Sequence, residues 1–277
     1  MNTQEIQHQI ATAVQMAKDS DILSGSMTNN VTINFVANAQ LAVGGSAAMT
    51  YMPDEGENLA RNGGSMYINV GTMQTIYEES LPHTAQVLHE LHKPWVLDPV
   101  AIGSGKIRTY VLKRFKEYKP SVVRGNASEI IALANLWGLL EEGGPSRVRG
   151  VDSTDSVLAA KEAAIALAKW TGGAVAVSGE TDLVTDGNHL VMSYGGSVMM
   201  TRITGSGCSL GGVIAVYAAV ASPFIAALTG TNLYNVAGKR AAAKAGGTGT
   251  FQMYFLDELY NATPQDVSEN EITAEEV

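Results

Sequence analysis

The stretch Ser121-Val-Val-Arg-Gly-Asn-Ala-Ser-Glu129 contains, within nine residues, the features that decide the fold. Ser121–Val123 is a short apolar run typical of a buried strand, and the polar turn Arg124–Asn126 follows it directly. Asn126 and Glu129 have the spacing of a capping box, in which the side chains at the start of a helix bond each other's backbone amides. The sequence therefore predicts a strand, a turn and a helix in immediate succession.

The same alternation of short apolar runs and helical patterns extends along the chain. Further strands are predicted at Met66–Val70, Trp95–Leu97 and Ala174–Val177, and the turn residues 186–188 predict a hairpin between Leu183–Thr185 and Leu190–Ser193. Helical patterns cover about 3–18, 34–43, 82–92, 106–118, 127–139, 154–170, 208–221 and 233–245. Alternating strands and helices favour βαβ units, so we expect an α/β fold with a mainly parallel central sheet.

The composition limits both the architecture and the partners. With 277 residues, 45% of them apolar and 16% charged, the chain can form one large α/β domain or two modest ones and is not disordered. No shift in composition marks an internal boundary, so we expect a single domain over 1–262 and an acidic, solvated tail over 263–277. The net charge of −9 argues against a nucleic-acid partner. The single cysteine, Cys208, excludes an intramolecular disulfide and suits a cytoplasmic location.

One uncharged segment has the length of a membrane-spanning helix. No charged residue lies between Arg202 and Lys239, and Ser209–Thr229 is long enough to cross a bilayer. This segment consists of Ala, Gly and Ser more than Leu or Phe, and Ser222-Pro223 interrupts it. We therefore expect a buried helix and no membrane partner.

Four of the predicted strands end in polar or glycine-containing turns. These turns are Asn69–Thr72, Asp98-Pro99, Arg124–Asn126 and Ser178–Glu180. Because ligands bind at the carboxyl ends of the strands in an open parallel sheet, the four turns are expected to line one crevice. Each turn taken alone is also a common loop.

The segment Thr204-Gly-Ser-Gly-Cys208, which precedes an apolar helix, is the strongest local signal. Its glycines allow successive backbone amides to point at one anion, and the helix adds partial positive charge at that end. A glycine-rich turn that merely starts a buried helix is the equal alternative. The thiol of Cys208 is expected to have a lowered pKa in the first helical turn and to accept a proton, unless it is a buried structural cysteine. Neither a complete P-loop at Gly103–Lys106 nor a dinucleotide fingerprint is present.

Three charged residues near the predicted turns are candidate ligands. Asp98 follows a strand directly and suits Mg²⁺, bound directly or through water, although a simple turn aspartate reads the same way. Glu129 belongs to the predicted capping box and points to the same edge of the sheet. Arg124 suits bidentate binding of phosphate oxygens, although it could also be an ordinary surface arginine. Asp152 and Asp155 read as a helix cap, and His89 with His92 lacks the partners of a metal site.

These stretches, in their order and near-family spacing, resemble the hydroxyethylthiazole kinase family from about residue 5 to residue 260. The matching segments are Thr28-Asn29, Asn34–Asn38, Leu41–Met49, Ile68–Thr72, Trp95–Val100, Arg124–Glu129, Gly150–Asp155, Ser178–Glu180, Val184–Gly187 and Gly205–Cys208. The resemblance implies a single ribokinase-like domain with three α/β/α layers. It also implies ATP- and Mg²⁺-dependent phosphorylation of 4-methyl-5-(2-hydroxyethyl)thiazole in thiamin biosynthesis or salvage, by a homotrimer with active sites near subunit contacts.

The resemblance also assigns roles to individual residues. Met49, Gly205 and Asn29 would contact the substrate, Arg124 and Ser178 would bind ATP, Asp98 and Glu129 would serve the metal, and Gly205, Ser206, Gly207 and Cys208 would form the catalytic turn. Cys208 occupies the position at which many ribokinase-like proteins have an aspartate base. The thiol could act as a general base or merely as a positioning group; if it is the base, its removal should slow turnover by about 10²–10⁴-fold.

The sequence departs from the family pattern in three places. Ser178 and Ser206 stand where threonine is common, Ser24–Met27 lacks a frequent histidine, and Leu139–Arg147 is an inserted loop. These differences leave the substrate preference more open than the reaction type. Hydroxymethylpyrimidine (phosphate) kinase, a nicotinamide-hydrate dehydratase of the same fold and a non-catalytic binding protein are the alternatives.

Overall fold

The computed structural model describes residues 1–140 and 157–277, which form a nine-stranded sheet with helices on both faces. The strands are β1 (Ile22–Met27), β2 (Gly45–Met49), β3 (Ser65–Asn69), β4 (Trp95–Asp98), β5 (Val122–Asn126), β6 (Ala174–Ser178), β7 (Asp182–Thr185), β8 (His189–Ser193) and β9 (Ile272–Glu276). Their order in the sheet is β2-β1-β3-β4-β5-β6-β7-β8-β9. Neighbours are parallel from β2 to β6, and the pairs from β6 to β9 are antiparallel.

Helices connect most of these strands. They are α1 (Thr3–Asp19), α2 (Ile33–Ala42), α3 (Pro53–Asn62), α4 (Tyr77–Glu90), α5 (Lys106–Tyr118), α6 (Ala127–Leu136), α7 (Lys161–Thr171), α8 (Ser206–Ala218), α9 (Pro223–Lys244), α10 (Thr248–Asn261) and α11 (Pro264–Ser268). Short 3-10 helices at Val157–Ala160 and Val198–Arg202 precede α7 and α8.

Successive residues of the central strands belong to two separate cores. Tyr67 and Val96 pack in a core with α1, α2, α8, α9 and α10, whereas Ile68 and Leu97 pack in a second core with α4, α5, α6 and α7. This alternation is the period of two expected for a sheet that is buried on both faces. The sheet therefore lies between two helical layers, and the expected three-layer α/β class is confirmed.

The stretch that predicts a strand, a turn and a helix folds in that way. Strand β5 ends at Asn126, α6 begins at Ala127, and the capping box between Asn126 and Glu129 forms in full. The predicted strands near 66, 95 and 174 and the hairpin of β7 and β8 are also present. Gly187 has a φ of +90° in the hairpin turn, a conformation that favours glycine.

Several elements lie outside the sequence-based prediction. Strands β1 and β2 are rich in Ser, Gly and Ala and lack the β-branched pattern of a typical strand. Their pairing with each other and with β3 determines their conformation. Helices α3 and α10 were also absent from the prediction, and α9 begins at Pro223, which sets its first turn about ten residues before the predicted start.

The uncharged segment forms two buried helices. Helix α8 is buried along nearly its whole length, and Ser222-Pro223 separates it from α9. None of the helices in residues 1–140 and 157–277 combines the length and apolar character needed to cross a bilayer. The expectation of buried helices is therefore confirmed for this segment.

The acidic C-terminal segment contributes to the sheet. Its side chains in β9 are largely exposed, in keeping with a solvated segment, but its backbone pairs antiparallel with β8. Val267 of α11 is fully buried. The segment 263–277 thus adds a strand, which its acidic composition does not reveal because sheet pairing uses backbone amides.

Some predictions lie outside the described residues. These are the helix cap at Asp152–Asp155, the first residues of the predicted helix 154–170, the motif segment 150–155 and most of the inserted loop 139–147.

Candidate functional site

A chain of hydrogen bonds joins the ends of four parallel strands. Asn69 at the end of β3 donates to Asp98 Oδ2 at the end of β4 over 2.9 Å. Arg124 on β5 donates from Nη1 to the same oxygen over 3.2 Å and from Nη2 to Ser178 Oγ on β6 over 3.0 Å. These contacts show that the ends of the four strands lie together, as the sequence predicts. That the four turns line a ligand crevice stays a prediction.

Asp98 is fully buried at the centre of this hydrogen-bond network. Its Oδ2 also accepts a hydrogen bond from the Tyr67 hydroxyl over 2.9 Å, whereas its Oδ1 has one donor among the described residues, the Val100 amide, over 3.2 Å. The three donors at Oδ2 compensate the burial of its charge. Since one oxygen has a single partner, Asp98 retains capacity for one more ligand at Oδ1.

The guanidinium of Arg124 lies between the sheet and the start of α8. A Cβ added at Gly207 would lie 2.9 Å from Arg124 Nη1, so only a glycine fits at this position while the arginine keeps its place. Burial alone would lower the pKa of Arg124, but the nearby carboxylates of Asp98 and Glu129 together raise it. Among the described residues, Arg124 Nε has no hydrogen-bond partner. The arginine is therefore a fixed cation with one buried donor free.

Gly205 starts α8 in a left-handed conformation with a φ of +93°. A Cβ at this position would also lie 2.9 Å from Thr32 Cγ2. The amides of the first helical turn have no acceptor within the helix, so they are available to an anion. Ser206 uses its hydroxyl to donate to the Met200 carbonyl over 2.8 Å. That bond attaches the turn to the preceding 3-10 helix, so Ser206 contributes its backbone rather than its hydroxyl to this end of α8.

Cys208 is partly buried beside two asparagines. The side-chain amides of Asn69 and Asn29 donate to its Sγ over 3.4 Å and 3.6 Å. Burial raises the pKa of the thiol, and the charge of Asp98 adds to this rise, while Thr32, Arg124 and Asn29 oppose it. The expectation of a lowered pKa is therefore wrong. Desolvation of the sulfur is the largest cause, and it disfavours the thiolate that a helix N-terminus would favour.

Glu129 and Asp98 face the same turn. Consecutive amides of this turn bind the two carboxylates, since Val100 donates to Asp98 and Ala101 donates to Glu129 Oε1 over 3.3 Å. Glu129 Oε2 accepts from the Asn126 amide over 2.9 Å. Burial raises the pKa of Glu129, as does Asp98, whereas Arg124 opposes the rise. Two carboxylates that each have a free lone pair thus lie close together.

A protein-only metal cage is absent from the described ranges. Within residues 1–140 and 157–277, no group of three or more His, Cys, Asp or Glu side chains is placed to hold a metal ion. Mg²⁺ commonly binds through one or two carboxylates, with water and substrate phosphates completing the octahedron. Asp98 and Glu129 match that donor set.

The two remaining substrate candidates, Asn29 and Met49, lie at the ends of β1 and β2. Asn29 follows β1 and is almost fully buried; besides Cys208, it bonds Asn69 Oδ1 over 3.0 Å. Met49 ends the edge strand β2 in register with Ser26 of β1 and is half-exposed. Asn29 is therefore in direct contact with the central network, whereas Met49 lies at its periphery.

Sequence reasoning missed two members of the network. Tyr67 lies inside a strand and reads as an ordinary core residue, yet its hydroxyl bonds Asp98. Thr32 carries no motif signal, yet it lies against Gly205. The polar group on a fully buried strand residue was the available signal for Tyr67, because buried hydroxyls need partners.

The model of the hydroxyethylthiazole kinase family matches residues 14–265. A hydroxyethylthiazole kinase of Bifidobacterium longum (strain DJO10A) is 50% identical, over 96% of this chain and 91% of the relative. The structure of a hydroxyethylthiazole kinase protein from Pyrococcus horikoshii OT3 superposes with a TM-score of 0.83 and 30% identity, over 97% of this chain and 98% of that one. A ribokinase-like superfamily protein of Enterococcus faecalis V583 shares the fold, with a TM-score of 0.61, 12% identity and coverage of 95% and 96%.

Proposed function

Because the chain belongs to the hydroxyethylthiazole kinase family, we propose that it transfers the γ-phosphoryl group of ATP to the primary alcohol of 4-methyl-5-(2-hydroxyethyl)thiazole, in thiamin biosynthesis or salvage. One observation carries the residue assignment: the thiol of Cys208, the guanidinium of Arg124 and the first-turn amides of α8 converge at one edge of the sheet. The thiol can thus contact an acceptor alcohol while the guanidinium and the amides bind a negatively charged phosphoryl group beside it.

The phosphoryl group is assigned to the start of α8 and to Arg124. In the reaction the alcohol oxygen forms a new bond to Pγ while the bond from Pγ to the bridging oxygen breaks, its electron pair leaves with ADP, and the alcohol proton is released. Charge on the transferred group is stabilised by the amides at 206–208 and by the fixed guanidinium. Since Arg124 is already held by Asp98 and Ser178, little reorganisation is needed when the charge develops.

The nucleotide is assigned to the end of β6. Ser178 bonds Arg124, and the next amide, that of Gly179, donates to Asp182 Oδ1 over 3.0 Å. This turn is therefore held at two successive residues and lies beside the positive charge. Arg124 Nε, a buried donor without a protein partner in the described ranges, is available to a phosphate oxygen.

The metal is assigned to Asp98 and Glu129, which fit Mg²⁺ by their donor chemistry. Bound Mg²⁺ would neutralise charge on the phosphates of ATP. The chain's own contribution is to hold the two carboxylates with the consecutive amides of Val100 and Ala101. The metal ion is further expected to overcome the raised pKa of Glu129, because a nearby cation favours the carboxylate.

We assign Cys208 the role of a positioning group rather than that of a base. With a raised pKa the thiol is protonated at neutral pH, so a thiolate is scarce. Phosphoryl transfer with a loose transition state needs chiefly orientation and charge stabilisation, and little proton abstraction. We assign the thiol, together with Asn29 and Met49, to the alcohol.

The homotrimer is proposed because the family resemblance implies it, and the exposed edge strand is compatible with an assembly. Strand β2 borders the sheet, carries Met49 and leaves most of its residues at least partly exposed. Proteins commonly cover such an edge, because an unpaired strand invites association. Multi-angle light scattering that gave a stable monomer would contradict the trimer.

The reaction is tested by incubating the protein with ATP, Mg²⁺ and each of several thiazole, pyrimidine and sugar alcohols. We expect ADP and a phosphorylated product with the thiazole alcohol alone. Product from hydroxymethylpyrimidine would support the pyrimidine kinase alternative, and turnover of a hydrated nicotinamide cofactor would support the dehydratase. Binding of the thiazole without ADP release would identify a non-catalytic relative.

A further inference from the structure

Thr32 begins α2 without capping it. Threonine at an N-cap normally accepts a hydrogen bond from an amide in the first helical turn. Thr32 instead has a φ of −117° and a ψ of −2°, and its side chain makes no capping bond. The residue is only 6% exposed, and Oγ1 has no hydrogen-bond partner in the part of the chain that the structure describes. A buried hydroxyl without a partner is costly, so it calls for a role.

The position of this hydroxyl points to Cys208. Gly205 lies against the Cβ and Cγ2 atoms of Thr32, at 3.0 Å and 2.9 Å from the place that a Cβ of its own would take. Asn29 fixes the backbone here, because its Oδ1 accepts from the Thr32 amide over 3.2 Å. The same Asn29 side chain donates to Cys208 Sγ over 3.6 Å, so one asparagine contacts both Thr32 and the thiol. Thr32 Oγ1 forms no bond of ordinary geometry with the sulfur, although Thr32 opposes the rise in the pKa of Cys208.

We propose that Thr32 is a positioning residue: during turnover its hydroxyl bonds Cys208 Sγ and orients the sulfur toward the acceptor alcohol. This inference deepens the proposed function and rests on it for its catalytic part. The sulfur already receives hydrogen bonds from the side-chain amides of Asn29 and Asn69. A third contact from Thr32 would further restrict the orientation of the sulfur. No proton is transferred through Thr32, whose hydroxyl only donates to or accepts from the sulfur.

The chain offers a readout that does not depend on catalysis. Cys208 is its single cysteine, so alkylation of the protein by iodoacetamide reports on this thiol alone. The rate depends on the thiolate fraction, and a hydrogen bond to the thiolate lowers the thiol pKa. The charged and titratable groups around the thiol are Asp98, Arg124, Tyr67 and Tyr234, and none of them is altered in the test.

The test compares two variants. Thr32→Val keeps the shape of the side chain but removes the hydroxyl, and Thr32→Ser keeps the hydroxyl but removes the methyl group. We expect Thr32→Val to slow alkylation at a fixed pH below the thiol pKa by up to about tenfold, and to lower kcat by a similar factor. The KM for ATP should stay unchanged, and Thr32→Ser should restore both rates. Thr84→Val is the matched control, since Thr84 Oγ1 is also a buried hydroxyl without a partner in the described ranges but lies against Gly56 of α3.

A double-mutant cycle separates positioning from packing. Because Thr32 acts through the sulfur, Thr32→Val should cause no further loss of kcat when Cys208→Ala is already present. Additive losses, or unchanged alkylation in Thr32→Val, would overturn the inference. If the protein proves not to phosphorylate the thiazole alcohol, the proposed function fails, whereas the alkylation result still decides the contact between Thr32 and Cys208.

Discussion

The guanidinium of Arg124 lies so close to the backbone of Gly207 that a Cβ at this glycine would be 2.9 Å from Nη1. This contact fixes the distance between the N-terminal end of α8 and the central strands. Gly207 is thus required because a side chain would collide with the guanidinium, in addition to the conformational freedom that a glycine gives the backbone of the turn.

Gly207→Ala should lower kcat/KM by about 10²-fold, because its methyl group displaces the guanidinium and an error of about 1 Å in a catalytic site has that effect. Stability should change little, since alanine suits a helix better than glycine does. Gly249→Ala is the control: Gly249 lies in the first turn of α10 with open space at its Cβ. Steady-state kinetics and thermal melting are measured on both variants. A fully active Gly207→Ala enzyme would contradict the role of the contact.

Cys208→Ala should reduce kcat by about tenfold rather than by the 10²–10⁴-fold expected of a lost general base. The reason is that the raised pKa keeps the thiol protonated, so that it positions the alcohol instead of deprotonating it. For the same reason the kcat of the unmodified protein should stay nearly constant between about pH 7 and 9. A tenfold rise in kcat per pH unit over this range, lost in Cys208→Ala, would reinstate the thiolate as the base.

Ala101→Gly should stabilise the protein by about 0.5–1 kcal/mol. Ala101 has a φ of +58°, in the left-handed region that disfavours a side chain, while its amide holds Glu129. Urea unfolding measures the change. The control is Ala132→Gly in the interior of α6, which should destabilise the protein by about 0.5–1 kcal/mol. Destabilisation by both variants would show that Ala101 is not strained.

Asp182 should make the fold more stable in acid than at neutral pH. Burial raises its pKa to about 6 from 3.8, so the folded protein holds this proton more tightly than the unfolded chain does. Its contribution is therefore fully present below about pH 4 and is lost as the pH rises through about 6. In urea unfolding across this range, the free energy of unfolding of the unmodified protein should fall relative to that of Asp182→Asn. Parallel curves for the two proteins would contradict the raised pKa.

The sequence predicts those parts of the fold in which local preference and tertiary structure agree. Ser121–Glu129 is one such stretch, because an apolar strand and a capping box both form from neighbouring residues. Strand β1 is the opposite case. Its Leu23-Ser24-Gly25-Ser26 run has weak strand preference and becomes a strand by pairing with β2 and β3 on either side.

The candidate site divides in the same way. The sequence predicts that Asp98, Arg124 and Ser178 lie together, because the ends of parallel strands meet at one edge, and their hydrogen bonds show that they do. Their catalytic roles stay predictions. The pKa of Cys208 was mispredicted because the helix N-terminus is visible in the sequence, whereas desolvation by the surrounding side chains is not.

Strand β2 lies at the rim of the sheet, and β4 and β5 lie near its middle. If Met49 selects the alcohol, the choice of acceptor is separated in space from the charged centre that Asp98 and Arg124 form. Substitutions at Met49 on the edge strand can then admit other alcohols without disturbing phosphoryl transfer. A randomised library at Met49, screened with different acceptors, should yield active enzymes of altered preference more often than one at Asn69, whose amide joins the central carboxylate to the thiol.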